Sequence, residues 1–432
     1  MLRAEDYHGA PGDVLLRRRG VSLVPSSAAP ARGRPKQSVI AVLGVTEILA
    51  YGSTYYLPAV LAKPISVDTG WPLAWIVGGL SLGWLVSGVV SPIVGRTIDR
   101  RGGRPVIAAS AVLLACGLAM LGAAPNLPMF FLAWAVIGLG MGGGLYDAVF
   151  ASLGRLYGAG ARGAITALTL WGGFASTICW PFSAFLVDQV GWRGTCLVYA
   201  AIHLCAALPL QMAVLPREER SKPAPSIPQP GAADDALTAG SPSFLLFVLL
   251  AVTFTLASAV PAVMSVHLLT ILQSQGIALG AAVALGALVG PSQVASRAIE
   301  MVIGRFHHPI WTMIVATVLV VLGLGLLVAG APVVAVALIL YGGGIGLESI
   351  AKGTLPLALF GSEGYATLMG KLAVPGLLVQ AVAPFIGALL IDRLGPSAML
   401  AIVWVLAAAN VASAVLLMVL HRSRGRAPAT PA

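Results

Sequence analysis

Charged side chains and cysteines are both scarce in this sequence of 432 residues. Only 10% of the residues are charged and 58% are hydrophobic, whereas a soluble domain is about 25% charged and about 45–50% apolar. This shortage of charge excludes an ordinary soluble enzyme, a nucleic-acid-binding protein and a disordered scaffold. The four cysteines lie in apolar segments without a C-x-x-C pair, so the sequence predicts neither a disulfide framework nor a cysteine metal site.

A nucleotide-binding loop is missing as well. The glycine-rich string GLGMGGG at 138–144 lies inside an apolar segment, where glycines indicate close packing of helices. We therefore expect no ATP, no cofactor, no metal and no enzymatic activity. The net charge of +10 comes from basic residues placed between apolar runs, which does not indicate a nucleic-acid partner.

Long apolar runs occupy most of the chain. A membrane-spanning helix needs about 20 apolar residues, and the sequence accommodates twelve such helices. The predicted helices 1 to 12 cover residues 38–62, 72–94, 105–124, 128–150, 163–187, 194–215, 243–268, 277–303, 309–329, 332–351, 366–391 and 396–420. The expected fold is an all-α membrane protein of two six-helix repeats around a central cavity.

Three polar segments divide the chain into domains. Residues 1–37 predict a disordered cytoplasmic tail, 38–215 a six-helix bundle, 216–242 a cytoplasmic linker, 243–420 a second six-helix bundle and 421–432 a cytoplasmic tail. With the amino terminus inside, 22 Lys and Arg residues fall in inner segments and 3 in outer loops, while Arg297 lies within helix 8. This bias follows the positive-inside rule and predicts that both termini are cytoplasmic.

The two halves repeat one another. The strings LYG at 156–158 and LFG at 359–361, two Pro-Phe pairs and two Asp-x-x-Gly pairs match at an offset of 203 to 204 residues. Three glycines of helix 4 (140, 142, 144) match three of helix 10 (342, 344, 346) at an offset of 202. Parallel repeats joined by an inner linker are typical of secondary transporters.

The loop between helices 2 and 3 reads GRTIDRRGGR at 95–104. It resembles the signature loop of the major facilitator superfamily, G-x-L-A-D-R-x-G-R-K, through Gly95, Asp99, Arg100, Gly102 and Arg104. The glycines are expected to permit a tight turn, and Asp99 to face the positive end of a neighbouring helix. The resemblance implies that this loop gates the transporter by latching its cytoplasmic side.

A second resemblance is to the bacterial monocarboxylate-porter-like branch of that superfamily. It rests on the LFG string, on Asp392 and Gly395, and on the stretch from 69 to 83.

Ionisable residues within the predicted helices are the candidate functional groups, because an unpaired charge at mid-membrane costs at least ~2.5–3.5 kcal/mol. Glu47, Tyr51 and Tyr55 are spaced i, i+4 and i+8, which places them on one helical face for solute binding and proton exchange. A structural acid at position 47 is the alternative. Arg297 and Glu300 are close enough on helix 8 to pair, with an anionic substrate competing for the arginine or with a structural pair as the alternative.

Asp147 and Glu348 lie in the repeated glycine regions of helices 4 and 10. We expect a role in conformational gating, with direct substrate contact as the alternative.

These features predict an integral protein of a bacterial-type inner (plasma) membrane that transports a small polar or anionic solute by alternating access, with protons as the coupling ion. Its partners would be the solute, protons and membrane lipids. An efflux pump for a drug or trivalent metalloid is a second possibility, and a non-transporting sensor or scaffold is a third. The sensor would need a folded soluble domain, and neither the tails nor the linker are hydrophobic enough to form one.

The predicted topology has a direct test. A reporter fused after residue 432 should read as cytoplasmic, because an even number of crossings returns the chain to its starting side. The same reporter inserted at Asn126, in the predicted outer loop between helices 3 and 4, is the matched control. A periplasmic signal from the carboxyl-terminal fusion would refute the topology.

Overall fold

The computed structural model describes residues 37–218 and 242–424. Residues 1–36 of the predicted tail, residues 219–241 of the predicted linker and residues 425–432 lie outside the described part of the chain. The domain boundaries predicted in those segments therefore stay predictions.

The described residues make twelve membrane crossings. Ten helical stretches there are long and apolar enough to cross a membrane, and one of them, Leu127–Val214, is 88 residues long and contains helices 4, 5 and 6. The uninterrupted helices are helix 2 (Leu73–Arg101), helix 3 (Gly103–Ala123), helix 7 (Pro242–Ser274), helix 9 (Pro309–Val328), helix 10 (Val334–Phe360), helix 11 (Tyr365–Leu394) and helix 12 (Pro396–Arg424). The interrupted helices are helix 1 (Gln37–Gly52 and Leu57–Thr69), helix 4 (Leu127–Gly144 and Tyr146–Tyr157), helix 5 (Ala161–Gly173 and 175–190), helix 6 (192–202, His203–Ala207 and Leu208–Val214) and helix 8 (Leu279–Gly286 and Val289–Ile303). The predicted all-helical architecture with twelve spans is confirmed.

Several helices extend beyond their apolar cores. Helix 2 continues to Arg101, so Gly95 lies inside the helix and the expected turn is made by Gly102, whose φ is 85°. The prediction that Gly95 permits the turn was wrong. Helix 10 continues to Phe360 and contains Lys352, and helix 11 contains Lys371. Both lysines therefore no longer count as inner-loop residues. The inner segments still hold many more Lys and Arg residues than the outer loops do.

Helix 1 is interrupted at residues 53–56. Pro58 is the second residue of the second segment, where its missing N–H is tolerated. Further inside a helix, a proline ring would clash with the carbonyl four residues earlier. Tyr55 lies in this interruption, so the regular stripe from Glu47 through Tyr51 to Tyr55 is not formed. Helix 4 also breaks, at Leu145, directly after three consecutive glycines, which weaken a helix.

The contacts of the glycines correct the register of the repeat. In helix 4, Gly138 and Gly142 face helix 2, and in helix 10, Gly342 and Gly346 face helix 8. These pairs are 204 residues apart, which agrees with the Asp-x-x-Gly pairs and corrects the offset of 202. Gly191 and Gly395 are also 204 residues apart, and both have a positive φ at a break between helices.

The two halves meet along one end of the bundle, which we call the basic face. It carries the 2–3, 4–5, 8–9 and 10–11 connections and the side chains of Arg100, Arg101, Arg104, Arg155 and Arg305. At this end a Cβ on Gly95 of helix 2 would lie 2.3 Å from the carbonyl oxygen of Ala366 in helix 11, and one on Gly370 would lie 2.5 Å from that of Ser91. A shared apolar cluster that joins Ile98 and Phe150 to Leu357 and Met369 packs around the same contact. The absence of a side chain at Gly95 thus allows the two backbones to touch.

Gly95→Ala should push the halves apart at the basic face. The added methyl group has no space, and overpacking of this kind costs about 1–3 kcal/mol. Spin labels at Ala159 and Glu363, both exposed on this face but in different halves, would report the separation in a cysteine-free protein. Gly163→Ala is the control, because a Cβ there meets nothing within 4 Å. An unchanged distance distribution in Gly95→Ala would contradict the close packing.

Candidate functional site

A cavity of about 250 Å³ lies between the two halves. Its walls come from helices 1, 2 and 4 of the first half and helices 7, 10 and 11 of the second. Most of the lining is apolar. Its polar side chains include nine hydroxyl-bearing serines and tyrosines, one amide and three ionisable groups: Ser81, Ser87, Ser91, Ser258, Ser265, Ser349, Tyr51, Tyr55, Tyr146, Gln380, Asp147, Glu348 and Lys352. An apolar pocket with a few convergent polar groups is the usual form of a small-molecule site.

The cavity is accessible from one end. Among its lining residues, Val266 is 52% exposed and Val77 is 39% exposed, and both lie towards the face opposite the basic one. At the other end, Phe150 is 1% exposed and Glu348 is 4% exposed. The inter-helix contacts of the basic face therefore close the cavity on that side.

Three charged side chains lie together at the closed end. Asp147 comes from helix 4, and Glu348 and Lys352 come from consecutive turns of helix 10. Lys352 Nζ donates a hydrogen bond to Ser258 Oγ of helix 7 at 2.8 Å. Both carboxylates that were predicted to act in gating line the cavity, so their position also permits substrate contact.

Lys352 was missed as a site residue because the sequence placed it in the 10–11 loop. A usable signal was present: it stands at i+4 from Glu348, and this spacing places an acid and a base on one helical face. The predicted helix 10 ended at residue 351, so an interpretation that extended it by a single turn would have included Lys352.

Aromatic rings form the wall contributed by helix 1. The rings of Tyr51 and Tyr146 are 4.9 Å apart and those of Tyr51 and Tyr55 are 6.4 Å apart. Both of the predicted helix 1 tyrosines thus line the cavity. Glu47 does not: it is 1% exposed, it lies outside the lining, and its Oε1 atom has no hydrogen-bond partner. Asp147 is close enough to repel it electrostatically.

Arg297 and Glu300 have different partners from those expected. Arg297 donates through Nη1 to the carbonyl oxygen of Thr169 in helix 5 at 2.8 Å and through Nε to that of Gly346 at 3.3 Å. It lies outside the cavity lining and joins helix 8 of one half to helix 5 of the other. The expected pairing between Arg297 and Glu300 is not formed, because backbone carbonyls satisfy the guanidinium instead.

Glu300 belongs to a second contact between the halves at the basic face. Its carboxylate accepts a hydrogen bond from Thr312 Oγ1 at 2.7 Å and lies 3.8 Å from Arg162 of helix 5 and 3.5 Å from His307. Arg162 also donates to the carbonyl oxygen of His307 at 2.7 Å. Next to His307, His308 accepts a hydrogen bond from the backbone N–H of Ile310. The pKa of His308 is lowered mainly by burial and to a smaller extent by the neighbouring positive groups.

The signature segment, residues 95–104, makes another polar contact between the two halves at the basic face. Asp99 Oδ2 accepts a hydrogen bond from the backbone N–H of Thr367 at 2.7 Å, in the first turn of helix 11. The expectation that Asp99 faces the positive end of a neighbouring helix is confirmed by this bond. The carbonyl of Asp99 accepts from Arg155, which also pairs with Glu218 at 2.5 Å.

The other residues of the segment stay within the first half or face outward. Arg104 donates to the carbonyl oxygen of Met212, the N–H of Gly103 donates to Glu218, and Arg100 is exposed. Glu218 was missed by sequence reasoning because it stands at the start of the polar linker. Within the described residues, no group of three or more His, Cys, Asp or Glu could hold a metal ion.

The comparisons with known proteins agree with this architecture. The profile described as Major Facilitator Superfamily matches residues 43–372, and no curated protein matches the sequence. Three similar solved structures are described as the human organic anion transporter MFSD10 (TETRAN), the proton:xylose symporter XylE bound to 6-bromo-6-deoxy-D-glucose, and the transporter FucP in the outward conformation.

The structural likeness extends over most of each chain at low sequence identity. The MFSD10 structure has a TM-score of 0.69 and 18% identity over 88% of this chain and 100% of its own. XylE has a TM-score of 0.63 and 12% identity over 88% and 94%, and FucP has 0.68 and 14% over 90% and 99%. The profile match covers well over half of the sequence, so this chain belongs to the Major Facilitator Superfamily and is a membrane transporter.

Proposed function

We propose that this transporter moves a small polar or anionic solute by alternating access, coupled to protons. One observation carries the proposal: a cavity shared by the two halves is closed at the basic face by contacts between those halves and accessible from the opposite face. Separating the basic-face contacts while the far ends approach each other would expose the same cavity to the other side.

The proposed orientation places the basic face on the cytoplasmic side of a bacterial-type inner membrane. The positive-inside rule supports it, because the arginines concentrate at this end of the bundle. With this orientation the cavity faces outward, which is the conformation named in the description of FucP. Import and export both remain compatible with this state.

The proposed solute is a small anion or another small polar molecule. The closed end of the cavity holds the ammonium of Lys352 and several hydroxyl groups beside the carboxyls of Asp147 and Glu348, and one similar structure is described as an organic anion transporter. The proposed relationship to the monocarboxylate-porter-like branch rests on the sequence strings given above and on this same chemistry. Metalloid efflux has less support, because none of the four cysteines, all of which lie in the described residues, lines the cavity.

Glu47 is the proposed proton-coupling group, and Tyr51 and Tyr55 are proposed to contact the solute. A buried carboxyl with one oxygen lacking a partner is costly to ionise in place. Its charge would therefore change only when a conformational change brings water or a partner to it, and coupling requires this difference between states.

Asp99→Asn should weaken the closed state of the basic face without preventing membrane insertion. The amide keeps an acceptor for the Thr367 N–H but loses the charge, and charge at a helix amino terminus contributes roughly 0.3–1 kcal/mol. We expect a shift of about two- to fivefold towards the open basic face, read from spin labels at Ala159 and Glu363. Asp188→Asn, an exposed acid, is the control. An unchanged state distribution and normal turnover would remove the latch assignment.

Glu47→Gln should retain solute binding and exchange but abolish accumulation driven by a pH difference. The neutral amide has nearly the same shape and cannot carry the proton. The measurement is uptake into proteoliposomes, with and without an imposed pH gradient, of a solute first identified by screening small carboxylates and polyols. Glu363→Gln, an exposed acid in the 10–11 loop, is the control. A Glu47→Gln protein that still concentrates the solute would leave Glu47 as a structural acid.

A further inference from the structure

Two consecutive histidines lie at the contact between the halves on the basic face. His307 and His308 form the end of the connection between helices 8 and 9, and neither is among the described residues that line the cavity. Arg162, from helix 5 of the other half, donates a hydrogen bond to the carbonyl oxygen of His307 at 2.7 Å. The segment that carries the histidines is therefore itself part of the closed face.

His308 is the amino-terminal cap of helix 9. Its Nδ1 atom accepts a hydrogen bond from the backbone N–H of Ile310 at 3.2 Å. A protonated imidazole carries an N–H at both ring positions and cannot accept. A proton on Nδ1 would therefore remove the cap, leave a backbone N–H without its acceptor and place a positive charge at the positive end of the helix.

The groups around His308 also oppose a positive charge there. The ring of His421, from helix 12, stacks on the ring of His308 with centroids 5.1 Å apart and planes inclined by 23°. Burial, followed by the charges of His421, Arg162 and His307, lowers the pKa of His308. Glu300 of helix 8 is the acid of this cluster, and it is already shared by His307 at 3.5 Å and Arg162 at 3.8 Å.

The other elements around the cap add no negative charge. Arg305 lies over the ring of Phe306, and Arg422 of helix 12 lies over the ring of Trp311. Helices 7 and 10 reach the start of helix 9 through apolar side chains, in a cluster that contains Ile310. A proton on His308 would thus face mainly other positive groups.

The first turn of helix 9 connects this cap to the contact between the halves. Thr312, in that turn, donates a hydrogen bond to Glu300 Oε1 at 2.7 Å, and Glu300 is the acid that faces Arg162 of the other half. Arg162 also holds the carbonyl oxygen of His307, the residue directly before the cap. Loss of the cap would therefore loosen both groups that Arg162 contacts.

We propose that His308 is a regulatory proton-binding site, and that protonation of its ring releases the 8–9 connection from Arg162 and favours opening of the basic face. This inference rests on the proposed alternating access and goes beyond the cavity. In the proposed orientation, the site makes the transport cycle respond to cytoplasmic pH, separately from any proton that crosses the membrane with the solute.

The direction of the pH effect follows from linkage. With the basic face closed, Arg162 lies close to His308 and contributes to its lowered pKa. With the face open, Arg162 has moved away with its own half, so the pKa of His308 lies closer to its ordinary value. The closed face is therefore most stable above that ordinary value and loses stability as the pH falls through it. Proton binding and opening favour each other, and this linkage is reciprocal.

Distance measurements on the full-length, cysteine-free protein in nanodiscs test the proposal, with spin labels at Ala159 and Glu363. Lowering the pH from 7.5 to 5.5 should shift this parent protein towards the open basic face by roughly three- to tenfold, the effect expected from the loss of one helix cap.

His308→Asn is the decisive variant, because asparagine is a good helix cap that does not titrate. It should keep the closed state at pH 7.5 and lose the part of the pH response that belongs to His308. The carboxyls of the cavity are present in both proteins, so their own titration is contained in the response of His308→Asn and can be subtracted. If His308→Asn does not fold, His308→Ser supplies another cap without a titratable group.

Two further variants connect the response to the interface. Arg162→Gln should open the basic face at both pH values and reduce the pH response, because the contact that protonation releases is already weakened. His267→Gln replaces a histidine of helix 7 that contacts the carbonyl oxygen of Pro384. It is the control and should respond as the parent protein does.

Equal pH responses in the parent protein and in His308→Asn would overturn the proposal and leave alternating access intact. A shift towards the closed face on acidification, abolished in His308→Asn, would also overturn it, because the sign would be opposite. A single closed distance at every pH, in the parent protein and in Asp99→Asn, would contradict the alternating access on which the proposal rests.

Discussion

A charged side chain inside a membrane needs a partner or access to water, and this constraint governs where the two halves of the protein can meet. Asp147, Glu348 and Lys352 lie in the cavity between the halves. Arg297 lies at the same boundary, where carbonyl oxygens of helices 5 and 10 satisfy it. The interface between the halves is therefore both the polar interior of the protein and the boundary along which it would move.

Close packing between the backbones of the two halves at the basic face is the second feature of this interface. Gly95 and Gly370 allow helices 2 and 11 to touch, and Asp99 then reaches the first turn of helix 11. The second half has a related contact, in which Glu300 of helix 8 lies near Arg162 of helix 5. Each acid sits near the basic-face end of its helix and meets the start of a helix from the other half. The hydrogen bond from the Thr367 N–H to Asp99 is 2.7 Å long and the Glu300–Arg162 ion pair is 3.8 Å long, and such contacts are few enough to break together.

Much of the fold followed from local sequence features. Hydrophobic runs predicted twelve crossings, and the signature segment predicted that Asp99 would meet a helix end. The ends of helices 2 and 10 were wrong because the prediction stopped each helix where apolar residues end, whereas backbone hydrogen bonding continues through charged residues. That error hid Lys352. The register of helices 4 and 10 was also wrong, because a row of glycines matches itself at several offsets and only the faces they present to helices 2 and 8 distinguish them.

The sequence by itself determined that this protein lies in a membrane, how many helices cross it and that its halves repeat, because hydropathy and periodicity are local properties of the chain. Tertiary structure decided which ionisable groups share a space. It placed Glu47 behind the cavity, gave Arg297 carbonyl partners instead of Glu300, and brought Asp147 of one half towards Lys352 of the other. These relationships depend on helix breaks and on the crossing of distant helices, and therefore on packing between residues some 200 positions apart in the chain.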